Sequence, residues 1–376
     1  MKICYYTPFK PLSHANPSGD LVAATDILSF LNHQGHQVVP MSDFRCRWIY
    51  WKPWRWPQLH QETRRVVKKN VNTGMHLWLT YHSYYKAPDL MGAAAARQIG
   101  IPYVIFQGIY STKRRRDWKT SPGFYLNRRC LCAARHIFTN KKLDLLNLKR
   151  LMPENKITYI APGLIPDDFN FDPGARVEIR KKLNLGDDPV VFSAAMFRRD
   201  VKTEGLTWVI RTCGELFRRG HTLRLVIAGD GRERDKLMHL ADAQLPQRVH
   251  FLGRIARGDM YRYYSAGDLF VFPGIRESLG MVFLEAQACG LPVVAFDNAG
   301  VPEAVKDGVT GLLIPPFDAK AFEEAIARLL GDAQLRRQMS RAARSYVRQN
   351  HDLNRNYLQL NHILQTIVQT AHHNED

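Results

Sequence analysis

Short apolar runs recur along almost the whole chain, separated by segments of helical periodicity or loop composition, and this alternation restricts the possible folds more than any other feature. In the first part the runs are KICYYTPF, QVVPMS, LWLTYHS, YVIFQ, HIFTN and ITYIA; in the second they are VVFSAAM, LRLVIAGD, VHFLG, LFVFP, PVVAF and GLLIP. Continuous apolar runs of strand length suit strands buried on both faces, and the intervening helices return the chain to the same edge of a parallel sheet. The expectation is an α/β chain of two doubly wound, Rossmann-like domains. Helices are expected over Leu21–His36, Gly205–Arg219 and Ala319–Leu330. The segment APGLIPDDFNFDPG, Ala161–Gly174, interrupts the periodicity with three prolines, three aspartates and two glycines, which puts the domain boundary at 168/169. The second domain then runs 169–351, and a last amphipathic segment within about 352–376 has no strand after it and is expected to pack back onto the first domain. Ligands of such sheets bind beyond the carboxyl ends of the strands, so the expected site is a cleft across which the two domains face each other.

A length of 376 residues makes two domains the default, and a hydrophobic share of 45% supplies their cores. No stretch reaches the roughly 18 apolar residues of a membrane span, and the opening MKICYYTPFK lacks a signal-peptide core, so a soluble, cytoplasmic chain is expected. Cys4, Cys46, Cys130, Cys132, Cys213 and Cys289 are scattered without metal or disulfide spacing and read as free thiols in a reducing compartment. The formal charge is +18 and it is uneven: residues 1–150 hold 24 Lys and Arg against 7 Asp and Glu, the remainder 29 against 28. The first part is therefore expected to meet an anionic partner: a phospholipid surface, a phosphorylated glycolipid or nucleic acid.

The stretch RESLGMVFLE sets Glu277 and Glu285 eight positions apart around an apolar middle. If the preceding strand ends at Pro273, Glu277 lies in the loop at the carboxyl edge and Gly280 near the first turn of the next helix. Eight helical positions rise about 12 Å, comparable to the reach from the sugar to the ribose of a nucleotide-diphosphate sugar. Each carboxylate could accept hydrogen bonds from a pair of hydroxyls, while the helix start offers N–H groups to phosphate. The plainer reading is a surface acid at each end of a buried helix.

The segments IAPGLIPDDFNF, LVIAGDGRERDKL, VHFLGRI and YYSAGDLFVFPGIRESLGMVFLEAQACGLPVVAFDNAGVPEAVKDGVTGLLIPPFDAKAFEEAI, from about Ile157 to Val347, together resemble the second domain of family 4 retaining glycosyltransferases of GT-B fold. The first domain is similar more loosely, through NPSGD, TYHSYY and GIPYVIFQG. The resemblance implies that Glu277 contacts the donor sugar and Glu285 the ribose diol, with the backbone of Leu279, Gly280 and Met281 along the sugar and diphosphate. It implies that Lys202 and Arg198 neutralise the diphosphate, with Arg199 open as the alternative because AAMFRRDVKTEG departs from the family's usual turn. Gly19 would let backbone approach the diphosphate, although one glycine stands where relatives often have two. The base would rest against Gly253, Arg254 and Ile255. His82 lies where the family often has a histidine beside acceptor or donor, whereas Gln107 replaces another frequent histidine. That departure suits a retaining reaction in which the departing diphosphate takes the acceptor proton and the cations stabilise its developing charge. No D-x-D pattern stands where a donor-site metal would want it, so metal independence is expected, with no cofactor beyond a UDP- or GDP-linked sugar as substrate.

RCRWIYWKPWRWP brings Trp48, Trp51, Trp54 and Trp56 among cations, and KRRRDWKTSPGFYLNRR adds Arg114, Arg115 and Arg116. Tryptophan favours the water–lipid boundary and each cation near an anionic surface gains about 1 kcal/mol, so these segments read as a peripheral contact with the inner face of the cell membrane beside an acceptor cleft; with the family resemblance this implies a glycolipid or oligosaccharide acceptor, lipid-linked or of lipopolysaccharide or polysaccharide type. The same chemistry would serve a basic nucleic-acid-binding protein, but no nucleic-acid module is recognisable and none is expected as partner. A related two-domain enzyme remains as alternative, either a nucleotide-sugar epimerase or hydrolase of the same fold or a phosphorylase.

Overall fold

The computed structural model describes residues 1–14, 19–277 and 280–372. Two compact units result: Met1–Ala161 together with Asn354–Asp376, and Pro162–Leu353. In the first unit the strands are β1 (Lys2–Tyr6), β2 (Gln37–Pro40), β3 (Leu77–Ser83), β4 (Tyr103–Gly108), β5 (His136–Thr139) and β6 (Ile157–Tyr159), joined by α1 (Gly19–His33), α2 (Trp56–Asn70), α3 (Gly92–Ile99), α4 (Ser121–Ala133) and α5 (Lys142–Leu148). All pair in parallel, in the order β2-β1-β3-β4-β5-β6. β3 and β4 are buried along their whole length, which is why their sequences show no polar alternation.

In the second unit, α6 (Pro173–Lys182) precedes β7 (Val190–Ala194), α7 (Val201–Arg218), β8 (Arg224–Ala228), α8 (Arg234–Gln244), β9 (Val249–Phe251), α9 (Met260–Ala266), β10 (Leu269–Val271), α10 (Met281–Ala288), β11 (Val293–Phe296), α11 (Val301–Ala304), β12 (Gly311–Ile314), α12 (Ala319–Gly331) and α13 (Ala333–Asn350). The order β12-β11-β10-β7-β8-β9 is parallel throughout and reverses between β7 and β10. At the amino end of this sheet Asp268 accepts from Arg176 at 2.7 Å, Arg180 at 3.2 Å and the Val190 N–H at 2.7 Å, tying α6 to the starts of β7 and β10.

The boundary expected at 168/169 falls at 161/162, and the return falls at 353/354 rather than 351/352. The Leu164 N–H donates to His351 O at 3.0 Å, and the Leu353 N–H donates to Leu164 O at 3.0 Å. A side chain at Gly163 would lie 2.4 Å from the His351 carbonyl, so glycine lets the two strands of the connection touch. The proline-rich segment thus belongs to the second unit. Helix α7 begins at Val201, not Gly205: Asp200 caps it by accepting from the Lys202 N–H at 2.8 Å. Gly205 is instead a packing position, where a Cβ would meet the Phe272 ring at 2.8 Å. Likewise β10 ends at Val271 rather than Pro273, because Phe272 and Pro273 continue the apolar run after leaving the ladder.

The last helix, α14 (Leu353–His372), packs within the first unit. Tyr357 packs edge-on against Phe30 and Phe106 at centroid distances of 5.4 and 6.0 Å, and the Asn361 Oδ1 accepts from the His36 Nε2 N–H at 2.6 Å. Tyr357→Ala should cost about 3–5 kcal/mol, as aromatic-to-alanine cavities do, and lower the urea midpoint of the first unit's unfolding transition.

Candidate active site

The strand-order reversal in the second unit opens a crevice between the loops that follow β7 and β10. The loop after β7 is held by its neighbour: Phe197 is buried, and the Gly229–Gly231 turn after β8 closes on it so tightly that a Cβ at Gly229 would lie 1.8 Å from the Ala195 carbonyl. Both glycines also have positive φ, +135° and +153°. From this fixed loop Lys202, on the first turn of α7, reaches the carboxylate of Glu277 in the loop after β10, and its ammonium lies 5.3 Å from the centre of the Phe272 ring. Both partners are mostly shielded from water. Arg198 is exposed, with its Nε 3.5 Å from Asp200, and Arg199 is exposed on the rim of a cavity of about 900 Å³ along α7.

Glu277 does not lie on a helix. Its segment turns through Gly274 (φ +70°) and Arg276 (φ +54°), and α10 starts only after Gly280, a left-handed cap at φ +68°. A Cβ there would meet Phe283 at 2.9 Å as well as being strained. The 12 Å helical spacing expected between Glu277 and Glu285 therefore does not describe this segment. Leu279, expected along the donor, lies outside the described residues. At the start of α10 the Phe283 and Leu284 N–H groups donate to Gly280 O at 2.9 and 3.3 Å, which leaves those of Met281 and Val282 without an intrahelical acceptor, so the turn can serve an anion.

Glu285, half-buried on α10, accepts from the Tyr264 hydroxyl at 3.0 Å. Burial pushes its carboxyl up to about 7, against the opposing pull of Tyr264 and Arg257. The sequence pattern does not single out Tyr264, because a tyrosine in YYSAGD reads as core; the residue is fully buried, and only the hydroxyl bond to Glu285 sets it apart. Gly253 has φ +71°, and its carbonyl accepts from the Gly229 N–H at 2.9 Å; Arg254 is exposed and Ile255 packs on the core.

The first unit reverses its strand order between β1 and β3. His82, inside β3 rather than after it, has φ +67°, stacks on Tyr84 at 4.6 Å and directs Nδ1 to Asp20 at 3.4 Å. Burial pushes the Asp20 carboxyl up, but His82, Lys141 and Lys10 outweigh it and leave Asp20 below the usual carboxylate range. On neighbouring strand ends, Gln107 (φ +63°) and Asn140 each keep a buried side-chain oxygen without a hydrogen-bond partner among the described residues. Gly19 opens α1 with open space where a Cβ would be, so the fold itself does not demand glycine there.

The two basic segments of the first unit form one surface. The Trp51 indole donates to Lys119 O at 3.0 Å and packs edge-on against Trp118 at 5.7 Å. Trp54 and Trp118 are 67% and 70% exposed; Trp51 and Trp56 are less so, and Trp48 departs from the group, half-buried against Tyr50 and Tyr85. Arg114 stacks over Tyr85 at 4.6 Å, while Arg115 and Arg116 face solvent. Among the described residues no helix is long and apolar enough to cross a membrane, and no three His, Cys, Asp or Glu side chains converge as a metal site would require.

Residues 175–346 match the family described as glycosyl transferases group 1. That range contains Lys202, Glu277, Tyr264 and Glu285. Among similar proteins, the alpha-D-kanosaminyltransferase of Streptomyces kanamyceticus is 35% identical over 214 residues, 56% of this chain and 54% of that protein. The GDP-mannose-dependent alpha-(1-6)-phosphatidylinositol monomannoside mannosyltransferase of Mycolicibacterium smegmatis is 34% identical over 206 residues, 53% of each. The chain thus spans about half the length of the curated relatives it matches. Among solved structures, Anabaena Alr3699/HepE in complex with UDP superposes with a TM-score of 0.77 at 20% identity, over 97% of this chain and 100% of that one. WaaG, a glycosyltransferase involved in lipopolysaccharide biosynthesis, does so at 0.68 and 17%, over 96% and 99%. These likenesses show the GT-B fold.

The Glu285 carboxyl is raised in the folded state, so its protonated form is the one folding favours: that contribution is whole below the ordinary Glu value of about 4.5 and is lost as pH rises through about 7. Urea melts of wild type and Glu285→Gln at pH 5 and pH 8 should show the wild type losing more stability than the variant between the two.

Proposed function

We propose that the chain is a retaining glycosyltransferase that binds a nucleotide-diphosphate sugar, UDP- or GDP-linked, at the β7/β10 crevice of its second unit. The observation that carries this reading is the Lys202–Glu277 pair, which joins the two loops of the crevice beside a left-handed helix start within the family-matched segment. A diphosphate arriving there meets the Lys202 ammonium, the α10 N-terminus and the Arg198 guanidinium, all of which favour the charge that grows as the glycosyl bond breaks. Once Lys202 engages the diphosphate, the Glu277 carboxylate can accept from sugar hydroxyls. Glu285, with its Tyr264 partner, can accept from a ribose diol when ionised. In this reading Lys202 and Arg198 supply the cationic charge and no metal takes part.

The acceptor side is assigned to the first unit, at His82 and Asp20. Its tryptophan-bearing basic surface is read as a peripheral contact with the inner face of the cell membrane, which suits a lipid-linked or lipopolysaccharide-type acceptor. Two of the proteins named above act on, or are involved in making, such glycolipids.

Lys202→Ala should lower kcat by roughly 100-fold or more, as loss of a leaving-group cation does. Glu285→Ala should raise the donor KM by roughly tenfold through the lost hydrogen bonds. Steady-state kinetics with the UDP or GDP sugar selected by a thermal-shift screen would read both, and unchanged kinetics in both variants would remove the assignment. Donor hydrolysis or isomerisation without any transfer would instead favour the epimerase or hydrolase reading. In flotation assays the chain should rise with anionic vesicles and show no comparable affinity for single-stranded nucleic acid, and Trp54→Ser with Trp118→Ser should weaken flotation.

A further inference from the structure

We propose that the acceptor carries a phosphate ester, and that the first unit grips this group in a pocket made by Arg45, Arg47, Lys52 and Arg55 around Trp48. The inference rests on assigning the acceptor to the first unit. A cavity of about 270 Å³ is lined by those five residues alone, four of them cations. None of the four forms an ion pair among the described residues, whereas Arg65, Arg176, Arg180 and Arg224 elsewhere all face carboxylates. Four like charges gathered without an anion raise the energy of the empty site, and a bound oxyanion would relieve that repulsion.

The loop that carries them is built, not loose. The Cys46 N–H donates to Pro8 O at 2.8 Å, the Trp48 N–H donates to Lys86 O at 2.6 Å, and the Cys46 and Ile49 side chains are fully buried. Trp48 is held at φ +56°, a left-handed conformation that costs a bulky residue about 1–3 kcal/mol and persists only where its surroundings enforce it. The side chains are braced as well. The Arg45 Nε donates to Phe9 O at 3.3 Å, Arg55 donates to Arg45 O at 3.0 Å, and the Arg55 guanidinium lies 4.5 Å from the Phe44 ring. Each of these two hydrogen bonds uses one of five guanidinium N–H groups and leaves the others available.

Three planar forks and an ammonium match a tetrahedral oxyanion of one to two charges better than a single carboxylate, which two donors would satisfy. The volume suits that group with part of a ring, the indole of Trp48 offering an apolar face to the ring carbons. Phe9 connects this pocket to the acceptor edge: Arg47 lies 5.8 Å from its ring centre and the His82 ring 5.7 Å. A phosphate held here therefore belongs to a molecule whose hydroxyls lie along the edge where His82 and Asp20 meet.

The experiment is calorimetric titration of the full chain with glycerol 1-phosphate and with glycerol, repeated on Arg47→Gln and Lys52→Gln, the two members whose side chains make no hydrogen bond to backbone among the described residues. Saturable binding of the phosphate ester but not of glycerol, weakened roughly tenfold or more in each variant, is expected from the loss of one charge-assisted contact. Absence of binding, or equal binding by the variants, overturns the pocket. So does flotation with phosphatidylglycerol vesicles that depends on Arg47 and Lys52 while the soluble ester is ignored. Displacement of the bound ester by phosphatidylglycerol but not phosphatidylcholine vesicles would assign the phosphate to a lipid headgroup, and no displacement would assign it to a soluble ester. UDP and GDP titrations on the same wild-type protein report the donor side separately: their failure sinks the glycosyltransferase reading, and their success beside a failed ester titration sinks only this inference.

Discussion

The second unit is organised around one electrostatic contact, the pairing of the Lys202 ammonium with the Glu277 carboxylate. It exists because the strand order reverses between β7 and β10, so that the loops leaving those strands part and must be joined again by side chains. Three glycines make the approach possible. Gly205 brings α7 down onto Phe272, Gly229 admits the Ala195 carbonyl, and Gly280 turns the chain into α10. Each stands where any side chain would push one partner of the pair away from the other.

Charge is distributed differently in the two units, and the difference follows their chemistry. The crevice of the second unit holds the Lys202 cation against the Glu277 carboxylate, so its charge is already neutralised within the fold, and a diphosphate bound as proposed would have to exchange partners with that pair. In the first unit most cations face outward or line the small pocket around Trp48 without carboxylates opposite them. Cations without carboxylates opposite them, as in the first unit, should respond to added salt, whereas the partly buried pair of the second unit is screened less.

The strands were legible in the sequence because their burial on both faces leaves unbroken apolar runs, and every expected run coincides with a strand of the structure, β4 alone running one residue further, to Gly108. Ends were less legible. Phe272 and Pro273 stay apolar after the ladder stops, the Phe272 ring lying under the Lys202 ammonium, and Gly205 looks like a helix break while acting as a packing position inside one. At the site, Lys202 and Glu277 could be read from their motifs, but their mutual pairing could not, because 75 positions separate them. Tyr264 carries its only site function on a hydroxyl that local pattern does not distinguish from core. The pocket around Trp48 was visible as composition; that its cations converge on one cavity depends on the loop's anchors to Pro8 and Lys86.

The first unit is assembled from two distant stretches of chain. The Met1 amine lies 3.2 Å from His36 Nδ1, and the other ring nitrogen of that histidine meets Asn361. During synthesis, residues 1–161 emerge long before α14, so Phe30, Phe106 and His36 stay without their partners while the second unit, contiguous in sequence, can already fold. On the ribosome the later-made body is then the earlier one to be completed, and the earlier-made one waits for the final helix.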